Sequence, residues 1–183
     1  VTLSKGLKPV PAATIASFAN SPFQVKSVGD GNPLLSVTCC GKTEDVTDAT
    51  IAQLSAIADN IFELDLARSQ IGDGSCVEIA KMKRLTKLDL RQSAVSNAGL
   101  KHLAACKELR SLNLFDTDTG DYALNALVSL KKLERLYLYE TKVTERGIGR
   151  LKEAIPAVRI VASMDLPTPM DQAPSNNRRR RKK

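Results

Sequence analysis

Four stretches of this chain can be written under one another without a gap. "IFELDLARSQIG" starts at Ile61, "LTKLDLRQSAVS" at Leu85, "LRSLNLFDTDTG" at Leu109 and "LERLYLYETKVT" at Leu133, a constant step of 24 residues. A fixed period of this length marks stacked supersecondary units, and it limits the fold more than any single motif does. Leu64, Leu88, Leu112, Leu136 and Ile160 share one column, and Leu66, Leu90, Leu114 and Leu138 the next. Ser69, Ser93, Thr117 and Thr141 form a third; Ile71, Val95 and Val143 form a fourth, from which Thr119 departs. The unit therefore reads L-x-x-L-x-L-x-x-(S/T)-x-(V/I).

The second half of the unit has its own pattern. Asp73, Asn97, Asp121 and Glu145 align, and the first three are residue types that cap helix N-termini, so they are expected to be N-caps. Ser75, Gly99, Ala123 and Gly147 align and are all small, as a tight turn into a helix requires. Apolar pairs three apart follow: Cys76 and Ile79, Leu100 and Leu103, Leu124 and Leu127, Ile148 and Leu151. That spacing is one face of a helix. Each unit thus predicts a short strand, a turn and a short helix. One such unit cannot bury its apolar face alone, so the units must stack.

The pattern is that of a leucine-rich repeat. In detail it resembles the "L-x-x-L-x-L-x-x-T-x-V-T-D-x-G-L-x-x-L" repeats of bacterial proteins, abundant in planctomycetes and their relatives. "LYLYETKVTERGIGRLKEAIPAVRI" is similar to the closing unit of such arrays, and "LLSVTCCGKTEDVTDATIAQLSAIADNIFELDL" to their opening unit. The resemblance covers about residues 34 to 162. It implies an α/β solenoid, with a parallel sheet on the concave side and short helices on the convex side. It also implies an envelope or exported setting, because such repeats are often attached to larger proteins, including cytochrome-type ones. This chain has Ser69 and Ser93 where the pattern has Thr, and Asn97 where it has Asp.

The domain reading follows. Residues 1–33 are a leader and irregular N-terminal cap, residues 34–163 about five repeat units, and residues 164–183 a linker and basic tail. "FQVKSVGDGNPLLSVTCC" predicts a hairpin turning at "GDGNP" that covers one end of the parallel sheet. The first unit is irregular, since Val46 to Ile71 is one residue longer than the period. No run approaches the roughly 18 to 20 apolar residues of a membrane span.

Catalytic chemistry finds little foothold. His102 is the sole histidine, and its column with Glu78, Ala126 and Arg150 is solvent-facing. A Ser-His-Asp or Cys-His arrangement would need it on the opposite side of the repeat. Cys76 and Cys106 fall in core columns, where a free thiol acts as a small hydrophobe. Cys39 and Cys40 are adjacent and point to opposite faces of a strand, with a disulfide through either left open. No C-x-x-C-H haem site and no Gly-rich phosphate loop occurs. The expectation is a chain with no enzymatic activity, cofactor or metal.

What remains is surface. Between the inward leucines, outward residues form three rows across the sheet. Glu63, Lys87, Ser111, Arg135 and Arg159 make the first; Asp65, Asp89, Asn113, Tyr137 and Val161 the second; Ala67, Arg91, Phe115, Tyr139 and Ser163 the third. Phe115, Tyr137 and Tyr139 are therefore expected to touch, with Arg91 and Arg135 at the margin. Asp65 and Asp89 suggest a cation site, but Lys87 and Arg91 beside them favour a salt-bridged surface. The candidate protein-binding face comprises Lys87, Asp89, Arg91, Asn113, Phe115, Arg135, Tyr137 and Tyr139. The competing reading is that the aromatics only shield one another. The function expected is a protein-binding repeat module or subunit; a regulatory segment of a larger exported enzyme is a further alternative.

The net charge of +7 resides almost wholly in Arg178, Arg179, Arg180, Arg181, Lys182 and Lys183, and removing these six leaves +1. Affinity for nucleic acid or an anionic surface is therefore expected in the tail. Pro167, Pro169 and Pro174 precede it, and proline continues neither helix nor ladder. Deleting residues 172–183 is expected to leave the thermal midpoint unchanged by calorimetry. The same deletion should abolish polyanion binding, a binding that falls steeply with salt. A clearly lower midpoint would show that the tail packs on the repeats.

Overall fold

The computed structural model describes residues 3–40 and 43–163. Among these described residues seven strands form one sheet in chain order, β1 (Phe23–Ser27), β2 (Leu35–Cys39), β3 (Ile61–Asp65), β4 (Lys87–Asp89), β5 (Ser111–Asn113), β6 (Arg135–Tyr137) and β7 (Arg159–Val161). β1 and β2 are the antiparallel hairpin, and every later pairing is parallel. Leu64, Leu88, Leu112, Leu136 and Ile160 lie in register across five strands, as the column reading requires. Helices alternate with the strands: α2 (Asp48–Ile51), α3 (Asp73–Ile79), α4 (Asn97–Leu103), α5 (Asp121–Leu127) and α6 (Glu145–Ala154), after an N-terminal α1 (Ala12–Ala16). The result is an α/β leucine-rich-repeat solenoid.

A single core runs its length. The leucines of both strand columns are buried, and so are Cys76, Ile79, Leu100, Leu103, Cys106, Leu124, Leu127 and Leu151 from the helical side. Each leucine and isoleucine among them contributes roughly 1.5–3 kcal/mol of burial. Thr119, which breaks the Ile/Val column, is fully buried yet satisfied: its hydroxyl meets that of Thr117 at 3.1 Å, and Thr117 in turn donates to the Leu114 carbonyl at 2.7 Å. The Ser/Thr column closes the turn after each strand in the same way. Ser69, Ser93 and Thr141 donate to the carbonyl three residues back at 2.6 Å.

That turn has a feature the columns did not announce. Arg68, Gln92, Asp116 and Glu140 all have positive φ, between 50° and 61°. A left-handed residue with a Cβ costs roughly 1–2 kcal/mol. Here the strained conformation turns an amide towards the next unit: the amides of Arg68, Gln92 and Asp116 donate to the carbonyls of Arg91, Phe115 and Tyr139 at 2.8–3.0 Å.

The expectation that Asp73, Asn97 and Asp121 are N-caps is corrected. The N-caps are Gly72, Ser96, Gly120 and Thr144, one residue earlier, and the acidic or amide column opens each helix from its first position. Its side chains reach forward and cap the helix of the following unit. Asp48 accepts from the Gly72 amide at 2.7 Å and from the Ser75 amide and hydroxyl. Asn97 accepts from the amides of Gly120 at 2.8 Å and Ala123 at 3.2 Å. Where the N-cap is Ser or Thr, its hydroxyl caps its own helix and donates to the preceding unit. Ser96 takes the Ala98 amide and gives to Asp73 at 2.7 Å; Thr144 takes the Gly147 amide and gives to Asp121 at 2.7 Å. The small column is explained as well. A Cβ on Gly99 would lie 2.5 Å from Asp73 Oδ1 and 2.9 Å from Cys76 Sγ.

The N-terminal residues are tied to the repeats by polar side chains. Asn60, nearly buried, donates to the carbonyls of Lys8 and Pro33 at 3.0 and 2.8 Å, and Arg84 donates to the Leu3 carbonyl at 2.9 Å. Phe18 joins the core directly.

The carboxyl of Asp121 is held below its ordinary value, first by the Thr144 amide and then by the Thr144 hydroxyl. Burial acts to raise that of Asp48, but the Ser75 hydroxyl and the Gly72, Ser75 and Gly74 amides outweigh it, and the net shift is also downward. The unfolded chain therefore binds protons more tightly at these sites. Their stabilisation is complete above the ordinary carboxylate range, about pH 4, and is lost as pH falls through the folded values. Asp121→Ala should cost about 1–2 kcal/mol at pH 7. Asp121→Asn, which copies Asn97, should cost less than about 1 kcal/mol and flatten the acid limb of the stability profile. Denaturant melts at a series of pH values check this, and equal losses for both variants would deny the bridge its role.

Candidate protein-binding face

The outward rows come to the surface on the sheet face opposite the helices. The candidate residues sit on β4, β5 and β6 or in the turns that follow. Lys87 and Arg135 are exposed, whereas Asp89, Arg91, Asn113, Phe115, Tyr137 and Tyr139 are half-buried. Phe115 and Tyr139, same-row residues of neighbouring units, stack face to face with ring centroids 5.5 Å apart and planes 1° from parallel. Tyr137 does not complete a three-ring cluster. Among the described residues the stacked pair is the one ring contact, and Tyr137 stands in register with Asn113 and Val161. It lies two residues, about 7 Å, along the strand from Tyr139, too far to join a stack set by the strand spacing of about 4.8 Å.

The polar half of the face is partly bonded within itself, with Arg91 Nε buried and held only by the ion pair to Asp89. Asp89 Oδ2 lies 3.7 Å from Arg91 Nε and accepts from Asn113 Nδ2 at 3.2 Å. Asp65, Asp89 and Asn113 each turn an oxygen onto the backbone amide two residues on, all at 3.1 Å. Each side chain thereby fixes the bend from which its unit's third-row residue projects, Ala67, Arg91 or Phe115. The second row thus positions the third. Asp89 is engaged by Arg91 and Asn113, in line with a salt-bridged surface. Among the described residues no group of three or more His, Cys, Asp or Glu could hold a metal ion.

The cysteines are free thiols. Burial pushes Cys76 up to about 12, with Asp73 and Asp48 adding to it. Burial likewise pushes Cys106 up to about 11, against a lowering by Lys83 and Lys107. The Cys106 thiol donates to the Ile79 carbonyl at 3.5 Å. Cys39 is pushed up to about 12 by burial and then by Asp65. None of these three is a thiolate at neutral pH, so none is an activated nucleophile. His102 is exposed on α4. The basic residues Arg178 to Lys183 lie outside the described residues.

Column reasoning passed over Tyr122, on α5, which is 77% exposed and is, among the described residues, the most exposed large hydrophobic side chain. Its column holds Gly74, Ala98 and Arg146, which gave no sign of a shared role.

No family model matches the chain, and neither does any curated protein. Solved structures do. An internalin C2 from Listeria monocytogenes is 22% identical with a TM-score of 0.48, over 60% of this chain and 45% of its own. A leucine-rich-repeat protein from Leptospira interrogans is 21% identical with a TM-score of 0.46, over 59% of this chain and 26% of its own. The leucine-rich-repeat ectodomain of the receptor kinase SOBIR1 from Arabidopsis thaliana is 18% identical with a TM-score of 0.47, over 80% and 82%. This chain thus matches less than half the length of the first two. The fold assignment stands on the strand register described above. No described helix is long and apolar enough to cross a membrane.

The stacked rings should couple energetically. In a double-mutant cycle, Phe115→Ala and Tyr139→Ala should show an interaction of about 0.5–1.5 kcal/mol, measured by urea unfolding. The fold should survive, because neither ring belongs to the buried core. Strict additivity would mean that the rings are neighbours without mutual stabilisation.

Proposed function

We propose that this chain is a non-catalytic, protein-binding repeat module whose partner lies on the concave face over the Phe115–Tyr139 stack. The observation that carries the reading is the stack itself. It is a rigid pair of rings, half-buried, held on turns that Asn113 and the left-handed residues Asp116 and Glu140 fix. Preformed aromatic surface of this kind gives up little conformational entropy on binding, and Tyr and Arg are enriched where a few residues dominate an interface. Lys87, Asp89, Arg91, Asn113, Arg135 and Tyr137 surround it as the polar rim.

Affinity capture from the source organism with the intact chain identifies the partner, and titration calorimetry then gives the affinity. The double variant Phe115→Ala/Tyr139→Ala should weaken that affinity by at least about 2 kcal/mol, roughly 30-fold. Binding at unchanged affinity would reduce the stack to a structural role.

A further inference from the structure

The concave face carries opposite charge at its two ends. At the N-terminal end stand Glu63 and Asp65 on β3 and Asp89 on β4, only partly offset by Lys87 and Arg91 beside them. At the C-terminal end Arg135 on β6 and Arg159 on β7 stand in register on adjacent strands, both exposed. Neighbouring strands are about 4.8 Å apart, and like charges facing one another at that spacing are unfavourable. Glu134, next to Arg135 in the chain, is committed elsewhere: it pairs with Arg110 of the preceding unit. Among the described residues neither Arg135 nor Arg159 has a carboxylate within salt-bridge distance. Their side chains border an open hollow of about 490 Å³, also lined by Tyr137, Ile160 and Val161.

We propose that this hollow is a subsite for an acidic, extended peptide segment of a protein partner, whose carboxylates bind Arg135 and Arg159. The inference names the chemistry of the partner and so rests on the reading of the concave face given above. Guanidinium groups suit carboxylates through paired N–H donors, and two of them a strand apart fit two acidic side chains. Tyr137 and Val161 beside them offer half-buried apolar surface for an intervening side chain. The same face favours a peptide over a nucleic acid. A phosphate backbone laid across the sheet would run from Arg135 onto a mixed field of Glu63, Asp65 and Asp89 with Lys87 and Arg91, which has no net positive charge to hold it. A peptide can change sign along its length. From β3 to β7 the face measures about 19 Å, four strand steps, which about six extended residues span.

The probe is a fluorescein-labelled eight-residue peptide of alternating Glu and Leu, compared with its Gln and Leu counterpart, by anisotropy on the full chain. The basic tail is an obvious competitor, so two variants are measured: Arg135→Gln/Arg159→Gln, and replacement of all six cations at 178–183 by Gln. The Glu peptide should bind, the Gln peptide should bind at least about tenfold more weakly, and the Arg135/Arg159 variant should lose at least about tenfold. The tail variant should change affinity by less than about threefold. Arg135→Gln alone should leave the thermal midpoint equal or higher, since it relieves repulsion.

Equal binding of the two peptides overturns the proposal, as does a loss that follows the tail rather than the arginine pair. It is also overturned if a single-stranded oligonucleotide binds the Arg135/Arg159 site more tightly than the Glu peptide. Failure here, with the stack variant still losing its native partner, leaves the concave-face reading intact. Loss of the Glu peptide on Arg135→Gln/Arg159→Gln, with the stack variant keeping full partner affinity, upholds this subsite and removes that reading.

Discussion

The stack depends on one recurring hydrogen bond, from a side-chain oxygen in one unit to the helix N-terminus of the next. Helices of seven residues such as α3, α4 and α5 are too short to persist alone in water. Their first amides have no partner within the helix, and leaving them unmet would cost each helix more than its propensity supplies. Asp48, Asp73, Asn97 and Asp121 meet that need across the unit boundary. Folding one helix therefore requires its predecessor to be in place. Burial of the leucine columns drives the units together, while these bonds fix their separation and rotation, because a hydrogen bond tolerates displacement far less than an apolar contact does.

Two chemical solutions alternate along the array. With glycine at the N-cap, as at Gly72 and Gly120, the reaching oxygen takes an amide of the third helical residue itself. With Ser96 or Thr144 there, the hydroxyl stands between, accepting from its own helix and donating backwards. The second arrangement goes with a crowded small column: Gly99 and Gly147, in the units capped by Ser96 and Thr144, have no room for a Cβ beside Asp73 and Asp121, while Ser75 and Ala123, in the units capped by glycine, carry one.

The sheet, the register and the core were legible because burial repeats with the period and leaves its mark on residue type in every unit. The caps were misplaced by one residue for an equally plain reason. The columns at 72, 96, 120 and 144 and at 73, 97 and 121 both hold good capping residues, and the bond that distinguishes them joins two units. A single unit's sequence does not record it. The left-handed column was invisible, since Arg68, Gln92, Asp116 and Glu140 are none of them the glycine that such a backbone usually selects. On the face, same-row neighbours were foreseeable and the Phe115–Tyr139 stack followed. Tyr137 was drawn in by its place in the adjoining outward row, although its two-residue offset on the strand keeps its ring apart.

The antiparallel hairpin gives the array a direction. At the β1 end the sheet is finished by a strand running the opposite way, so a further repeat there would have no parallel edge to join and no forward-reaching oxygen to receive its helix. At the β7 end, among the described residues, the outer strand edge carries no neighbour, and Glu145 holds the position from which each earlier unit reached its successor. Duplication of a 24-residue segment can therefore lengthen such a protein at one end without disturbing what is already built. The charge gradient of the concave face would then be extended unit by unit from its cationic end, while the hairpin stays fixed as the origin from which the repeats are counted.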